Sequence, residues 1–186
     1  MASLNQKEEF IVLRESCIWL QNCFNIFQNL YKSDPETEAN LRKTAPLFFG
    51  DLNVILQEYF FLQVRKITDR ASSHGRENLT LKNINDGLNR SGLMTEEILF
   101  LSNQIHLYRE MISDFSNRVI AHADKATTLS AGLIGDHSDI ELEKFMSNVR
   151  AYTDAVGIAL GVGPLDYSSQ AGPGDVLDLI KSLKRA

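Results

Sequence analysis

The chain has 186 residues, 44% of them hydrophobic and 23% charged, with a net charge of −5 at pH 7. That length carries one domain with its own core, and the acidic balance excludes the clustered Lys/Arg surface that duplex DNA requires. The longest uncharged stretch, residues 16–31, is too short and too polar to span a bilayer. The N-terminus lacks a signal-peptide shape, so a cytoplasmic protein without a membrane partner is expected.

Four segments carry apolar ladders with steps of three and four, the signature of one buried helical stripe. The first reads Phe10, Leu13, Cys17, Leu20, Phe24, Phe27, Tyr31. Cys17 and Cys23 point apart on such a helix, so free buried thiols are expected. Residues 32–40, with Asp34-Pro35, read as a connection. Thr44 and Pro46 suit a first helical turn, and the second ladder follows as Phe48, Leu52, Ile55, Tyr59, Leu62. Residues 70–78 read as a loop, and a short helix is expected over 81–89, closed by Ser91-Gly92. Thr95 is a candidate N-cap, with Glu96 and Glu97 at the positive helix end. The third ladder is Ile98, Leu101, Ile105, Tyr108, Ile112, Phe115, Val119. Residues 124–135 read as a connection. Ser138 and Glu141 fit a capping box before Leu142, Phe145, Val149, Tyr152, Val156, Ala159. Beyond Gly161 the chain turns irregular, and residues 175–184 form a last amphipathic piece presenting Val176, Leu179, Ile180 and Leu183.

The spacing therefore predicts an all-α fold, an antiparallel four-helix bundle with short additional helices. The bundle takes residues 1–160, with residues 161–186 packing on the same domain as a loop and short helix. The first helix also carries Ile11, Val12, Ile18, Trp19, Ile26 and Leu30 off its ladder, a stripe wider than one seam needs. The C-terminal helix, a second subunit, or both would cover it.

No histidine has a glutamate three residues before it, and no cysteine pair has zinc spacing, so no metal is expected. Gly161-Val162-Gly163 lacks the lysine and the strand–helix context of a phosphate loop. No serine sits in a Gly-x-Ser-x-Gly elbow. No cofactor is expected. His74, His106 and His137 read as solvated or capping side chains. His122 differs, because the steps 112, 115, 119, 122 keep it in phase with the third ladder. Arg118 stands four residues before it, and Asn117 and Asp124 add polar groups close by. An imidazole with a guanidinium in reach can exchange a proton with a ribose hydroxyl while the cation steadies phosphate charge. The competing reading is a helix C-terminus whose cations merely complement the dipole.

Arg118-Val119-Ile120-Ala121-His122-Ala123-Asp124-Lys125 resembles the Ile-Ala-His-x-Asp end of the HEPN motif (higher eukaryote and prokaryote nucleotide-binding domain). Ile67-Thr68-Asp69, followed by Gly75-Arg76-Glu77-Asn78-Leu79-Thr80-Leu81, resembles a second signature from the branch associated with phage abortive infection. The resemblance covers roughly residues 8–160. It implies a helical bundle that dimerises around a cleft, and RNA or a nucleotide as ligand. It further implies a metal-independent endoribonuclease of phage defence or toxin–antitoxin systems, with a cognate antitoxin or defence partner. His122 would act on the 2′-hydroxyl or leaving oxygen, supported by Arg118, Asn117 and Asp124. The family motif places an arginine four to six residues before the histidine, whereas Phe115, Ser116 and Asn117 stand there. The alternative is a catalytically degenerate interaction module of the same fold. Asp69 and Asn78 suit loop closure by bonding backbone groups. Arg65, Lys66, Arg70 and Arg76 gather positive charge there, expected to flank the cleft and attract phosphate.

Overall fold

The computed structural model describes residues 4–73, 75–113, 138–165 and 172–185. Among them are seven helices, numbered in chain order: α1 Leu4–Tyr31, α2 Pro35–Thr44, α3 Pro46–Thr68, α4 Leu81–Ser91, α5 Glu96–Met111, α6 Asp139–Leu160 and α7 Val176–Arg185. A two-residue antiparallel hairpin, β1 Ser72–Ser73 with β2 Arg76–Glu77, separates α3 from α4.

Cross-links between helices set their directions. Tyr31 Oη donates to the Phe49 carbonyl at 2.8 Å and Trp19 Nε1 to the Tyr59 hydroxyl at 2.9 Å, so α3 runs antiparallel to α1. Lys32 pairs with Asp139 at 3.2 Å, Arg150 donates to Gln21 Oε1 at 2.7 Å and Arg14 to the Val162 carbonyl at 2.7 Å. Those three bonds make α6 antiparallel to α1 as well. Tyr108 stacks on Phe145 at 4.3 Å, while Asn85 joins Ser102 to Tyr152, so α5 runs against α6. The all-α antiparallel bundle read from the sequence is the architecture of the chain.

The main core takes Phe10, Leu13, Cys17 and Leu20 from α1, Phe60, Val64 and Ile67 from α3, and the predicted ladder residues of α5 and α6. Each fully buried large apolar side chain contributes about 1.5–3 kcal/mol. Thr80, Thr95 and Ser138 cap α4, α5 and α6, the last in a complete capping box with Glu141. Gly161 closes α6 at φ +70, and Val162 N–H returns to the Gly157 carbonyl at 2.8 Å. A Cβ on Gly157 would lie 3.1 Å from Gly163 Cα, so the return is a close backbone approach that favours glycine at both positions. Cys17 and Cys23 are buried and free, and burial pushes the Cys17 thiol up to about 12.

Two expectations are corrected. Residues 32–40 are not a connection, because Asp34 starts α2 within them. Its carboxylate accepts the Thr37 N–H at 2.7 Å, Pro35 occupies the first helical position, and Arg42 and Lys43 sit in the last turn. The second ladder is also out of phase: Phe48 is 60% and Ile55 58% exposed, whereas Phe49, Phe60, Val64 and Ile67 are buried. The α3 sequence is apolar on two faces, and the face holding Phe60 and Ile67 meets the core. A second, smaller core joins Leu30, Leu41 and Phe49 to Ile26, Leu52, Leu56, Val176, Ile180 and Leu183. Thus α7 covers only the Ile26–Leu30 end of the wide α1 stripe, while Val12 and Trp19 remain exposed and Leu179 stays on the rim.

The Asn85 bridge yields a stability prediction. Asn85→Leu leaves the buried Tyr152 hydroxyl only the Leu81 carbonyl at 3.5 Å in place of its 2.8 Å partner, which costs about 1 kcal/mol or more and lowers Tm in calorimetry. An unchanged Tm would show that the bridge is dispensable. Asp34 yields a pH prediction: its backbone bond from Thr37, then its side-chain bond, hold the carboxyl down at about 2. A depressed folded value stabilises above the unfolded value of 3.8 and fades as pH falls toward 2. Asp34→Asn keeps the cap without the titration, so its Tm should fall less between pH 5 and pH 2 than that of wild type.

Candidate functional site

His122, Arg118, Asn117 and Asp124 lie outside the described residues, as do His74, His137, Phe115, Ser116 and Val119. What the structure describes is the helix leading to them and the surfaces around it. α5 buries Ile98, Leu101, Ile105 and Tyr108 in the core, followed by Ile112. Tyr108 lies in an aromatic layer with Phe145 and Phe60, whose rings meet edge-on at 6.2 Å.

The loop block sits at the other end of the bundle. Arg70 N–H donates to Asp69 Oδ1 at 2.8 Å, Asn78 Nδ2 to the Arg70 carbonyl at 2.9 Å, and Asn78 N–H to the Ala71 carbonyl at 2.8 Å. Gly75 turns the hairpin at φ +75, a conformation that suits glycine. The polar groups of Asp69 and Asn78 are thus engaged within the loop, while Arg70 and Arg76 are exposed and Arg65 is half-buried. This hairpin follows the C-terminus of α3, beside the N-terminal end of α1. α5 starts at that same end and climbs away over 16 residues, about 24 Å. Within one chain, the structure does not bring Arg70 and Arg76 to the C-terminal end of α5.

The upper half of the bundle has a different interior. On α1 the core-facing stripe passes from Phe10 and Cys17 to Gln21, Asn25 and Gln28; on α3 it passes from Ile67 and Phe60 to Gln57 and Asn53. Gln21 accepts from Arg150 and donates to Asn25 at 2.8 Å, and Gln57 donates to Asn53 Oδ1. Gln28 Nε2 and Arg109 Nε are buried with no hydrogen-bond partner among the described residues. In the sequence, Gln21, Asn25 and Gln28 bear only on the polarity that excludes a membrane span. Their spacing of four and three, each one position past Leu20, Phe24 and Phe27 of the α1 ladder, is the available signal. A groove of about 220 Å³ opens at this end between α2 and α3, walled by Tyr31, Leu41 and Phe49, with Glu38, Arg42 and Asn53 as its polar groups. Among the described residues no group of three His, Cys, Asp or Glu side chains could hold a metal ion, and no helix is long and apolar enough to cross a membrane.

Compared with known families, residues 4–179 match a family model described as HEPN_AbiU2: AbiU2. No curated protein and no solved structure matches the chain.

His106 is the one histidine among the described residues, half-buried on α5 rather than solvated or capping. Burial first, and the Arg109 charge second, hold its pKa below the usual 6.5. It is therefore neutral at pH 7 and gains a proton only at lower pH. An NMR titration should place its midpoint below 6.5, with the resonance assigned by its loss in His106→Gln. A midpoint at or above that value would contradict the burial argument.

Proposed function

The chain belongs to the HEPN AbiU2 family, an abortive-infection-related group of HEPN domains, and on that premise we propose that it binds RNA or a nucleotide and cleaves RNA without a metal ion. The observation that carries this reading is the span of the family match, which takes in both the loop block at residues 67–81 and the histidine block at 118–125. His122 is the acid/base group acting on the ribose hydroxyl or the leaving oxygen. Arg118 steadies the phosphate, and Asn117 and Asp124 support the pair. Phe115, Ser116 and Asn117 at the family's arginine positions favour a second reading, a non-catalytic dimerisation module.

The working unit is a homodimer, joined through the face that α1 and α3 leave open. Phe48, Ile55 and Leu62 recur every seven residues on α3 and are exposed, flanked by Trp19 and Val12 of α1. Asp51 and Glu58 border that face on either side of Ile55, and Lys66 lies beyond its C-terminal end. Antiparallel apposition of two copies about Ile55 sets Phe48 of one against Leu62 of the other. The same two-fold brings the Arg65, Arg70 and Arg76 region of one copy to the end of the other toward which α5 climbs. A phosphate-binding role for these arginines therefore operates between copies. A cognate antitoxin or other defence partner remains part of this reading.

Three measurements test it. Structured and single-stranded RNA incubated in EDTA should be cleaved by wild type and left intact by His122→Ala. Identical fragments from both, or none from either, would eliminate the nuclease and leave the dimerisation module. Ile55→Glu should halve the mass in sedimentation at tens of micromolar; a wild type that is already monomeric removes the two-fold. Mixing His122→Ala with an Arg70→Ala, Arg76→Ala chain should restore about a quarter of the wild-type rate, since half the dimers then carry one complete site. A mixture as inert as its components would place the arginines and the histidine in one chain.

A further inference from the structure

α5 carries more apolar surface than its place in the bundle uses. Ile98, Leu101, Ile105 and Tyr108 face the core. A second stripe, Phe100, Leu107 and Met111, runs beside them at helical spacing and stays open to solvent, Phe100 being 60% and Leu107 56% exposed. Around the bundle each of α1, α3, α5 and α6 packs on the next, so this stripe lies opposite the face of α1 and α3. A pair of chains joined through α1 and α3 carries it outward on both copies.

Beside the stripe a furrow of about 210 Å³ opens between α5 and α6. Its floor is the stacked pair of Tyr108 and Phe145, with ring centroids 4.3 Å apart. Leu107 and Met111 wall it on α5, and Lys144 and Asn148 on α6. An apolar notch of this kind takes one large anchoring side chain. The stripe from Phe100 to Met111 extends the contact to about 16 Å, or about three turns of a helix laid alongside.

The surrounding charges decide what can dock. Glu96 and Glu97 stand one turn before Phe100, Glu110 stands one turn after Leu107, and Glu141 lines the furrow from α6; all four are exposed. Lys144 is the one exposed cation on either helix, since Arg109 and Arg150 are half-buried and Arg150 is tied to Gln21 of α1. Two such faces brought together set carboxylate against carboxylate. Nucleic acid and an anionic lipid surface meet the same repulsion. The complement is an apolar stripe of helical spacing edged with lysine or arginine.

We propose that the furrow between α5 and α6 docks a basic amphipathic helix of a partner protein. One large apolar side chain of that helix sits over Tyr108 and Phe145, its neighbours a turn away cover Phe100 and Met111, and its cations meet Glu97, Glu110 and Glu141. The surface is complete without the His122 block, so it does not rest on RNA cleavage.

Titration of the full chain with fluorescent model helices tests the surface. The probe is a leucine–lysine peptide of about five turns with leucines at steps of three and four, beside its leucine–glutamate counterpart. Wild type should bind the lysine peptide at least about tenfold more tightly than the glutamate peptide. Leu107→Gln combined with Met111→Gln should weaken binding about tenfold at unchanged Tm, both side chains being exposed. Glu97→Gln combined with Glu110→Gln should weaken it several-fold at low salt and flatten its salt dependence. Ile55→Gln, on the opposite face, should leave it unaltered. Equal affinity for the two peptides, no binding of the lysine peptide at tens of micromolar, or an equal loss from Ile55→Gln each overturns the proposal. A lower solution mass for Leu107→Gln than for wild type makes the face a contact between copies and overturns it as well. The nuclease reading fails by a different result, identical RNA products from wild type and His122→Ala.

Discussion

One rod organises the molecule: α1, 28 residues long, or about 42 Å, against which α2, α3, α4, α6 and α7 all pack. Its two halves meet different demands. Below, Phe10, Leu13, Cys17 and Leu20 form a dry seam with α3, α4 and α6. Above, the same stripe turns to Gln21, Asn25 and Gln28, while the back of the helix becomes apolar at Ile26 and Leu30 to meet α2 and α7. A continuous helix cannot rotate one half relative to the other, so α7 must lie behind α1 and the polar interior in front of it. The second small core and the groove beside it follow from that change of face.

The ladders of α5 and α6 are legible because each of these helices has one main apolar face, and that of α1 because its lower seam is apolar throughout. α5 and α6 bury the residues that their spacing named, as far as the described residues extend, and so does the lower part of α1. α3 was misjudged for a physical reason. Leu47, Phe48, Val54, Ile55 and Leu62 stand beside Phe49, Phe60, Val64 and Ile67, and steps of three and four can be drawn through either set. Periodicity measures apolar area and is silent on which partner covers it. The polar residues settle the phase no better, since Asn53 and Gln57 lie on the inward face. α2 is hidden in the sequence because Asp34-Pro35 reads as a turn signal, whereas the same pair is an N-cap followed by a first-turn proline. Here two local codes share one dipeptide, and only the hydrophobic Leu41, closing onto Leu30 and Phe49, decides between them.

The candidate site was legible as chemistry and only partly as geometry. The loop block was found from its residues, and its bonds from Asn78 to Arg70 and Ala71 are those an Asx residue makes when it closes a loop. Its distance from the end of α5 was not readable, because it depends on the direction in which each helix crosses the bundle. The groove was invisible for a related reason: it is built by α2, which the sequence did not disclose, against Gly50, which periodicity treats as a blank.

The polarity of the bundle also bears on the displaced arginine of the motif. A guanidinium four to six residues before a histidine supplies positive charge from the same helix. This chain has Phe115, Ser116 and Asn117 there, yet carries Arg65, Lys66, Arg70 and Arg76 together where α3 ends. Phosphate responds to the field at its own position, whichever chain contributes it. In an antiparallel pair of bundles, basic ends meet the opposite ends of their partners, so charge missing from the motif would be replaceable from the neighbouring copy. The exposed stripe through Ile55 would then do more than hold two chains together. It would set which phosphate-binding groups each histidine can use, and a single chain would lack them by geometry rather than by sequence.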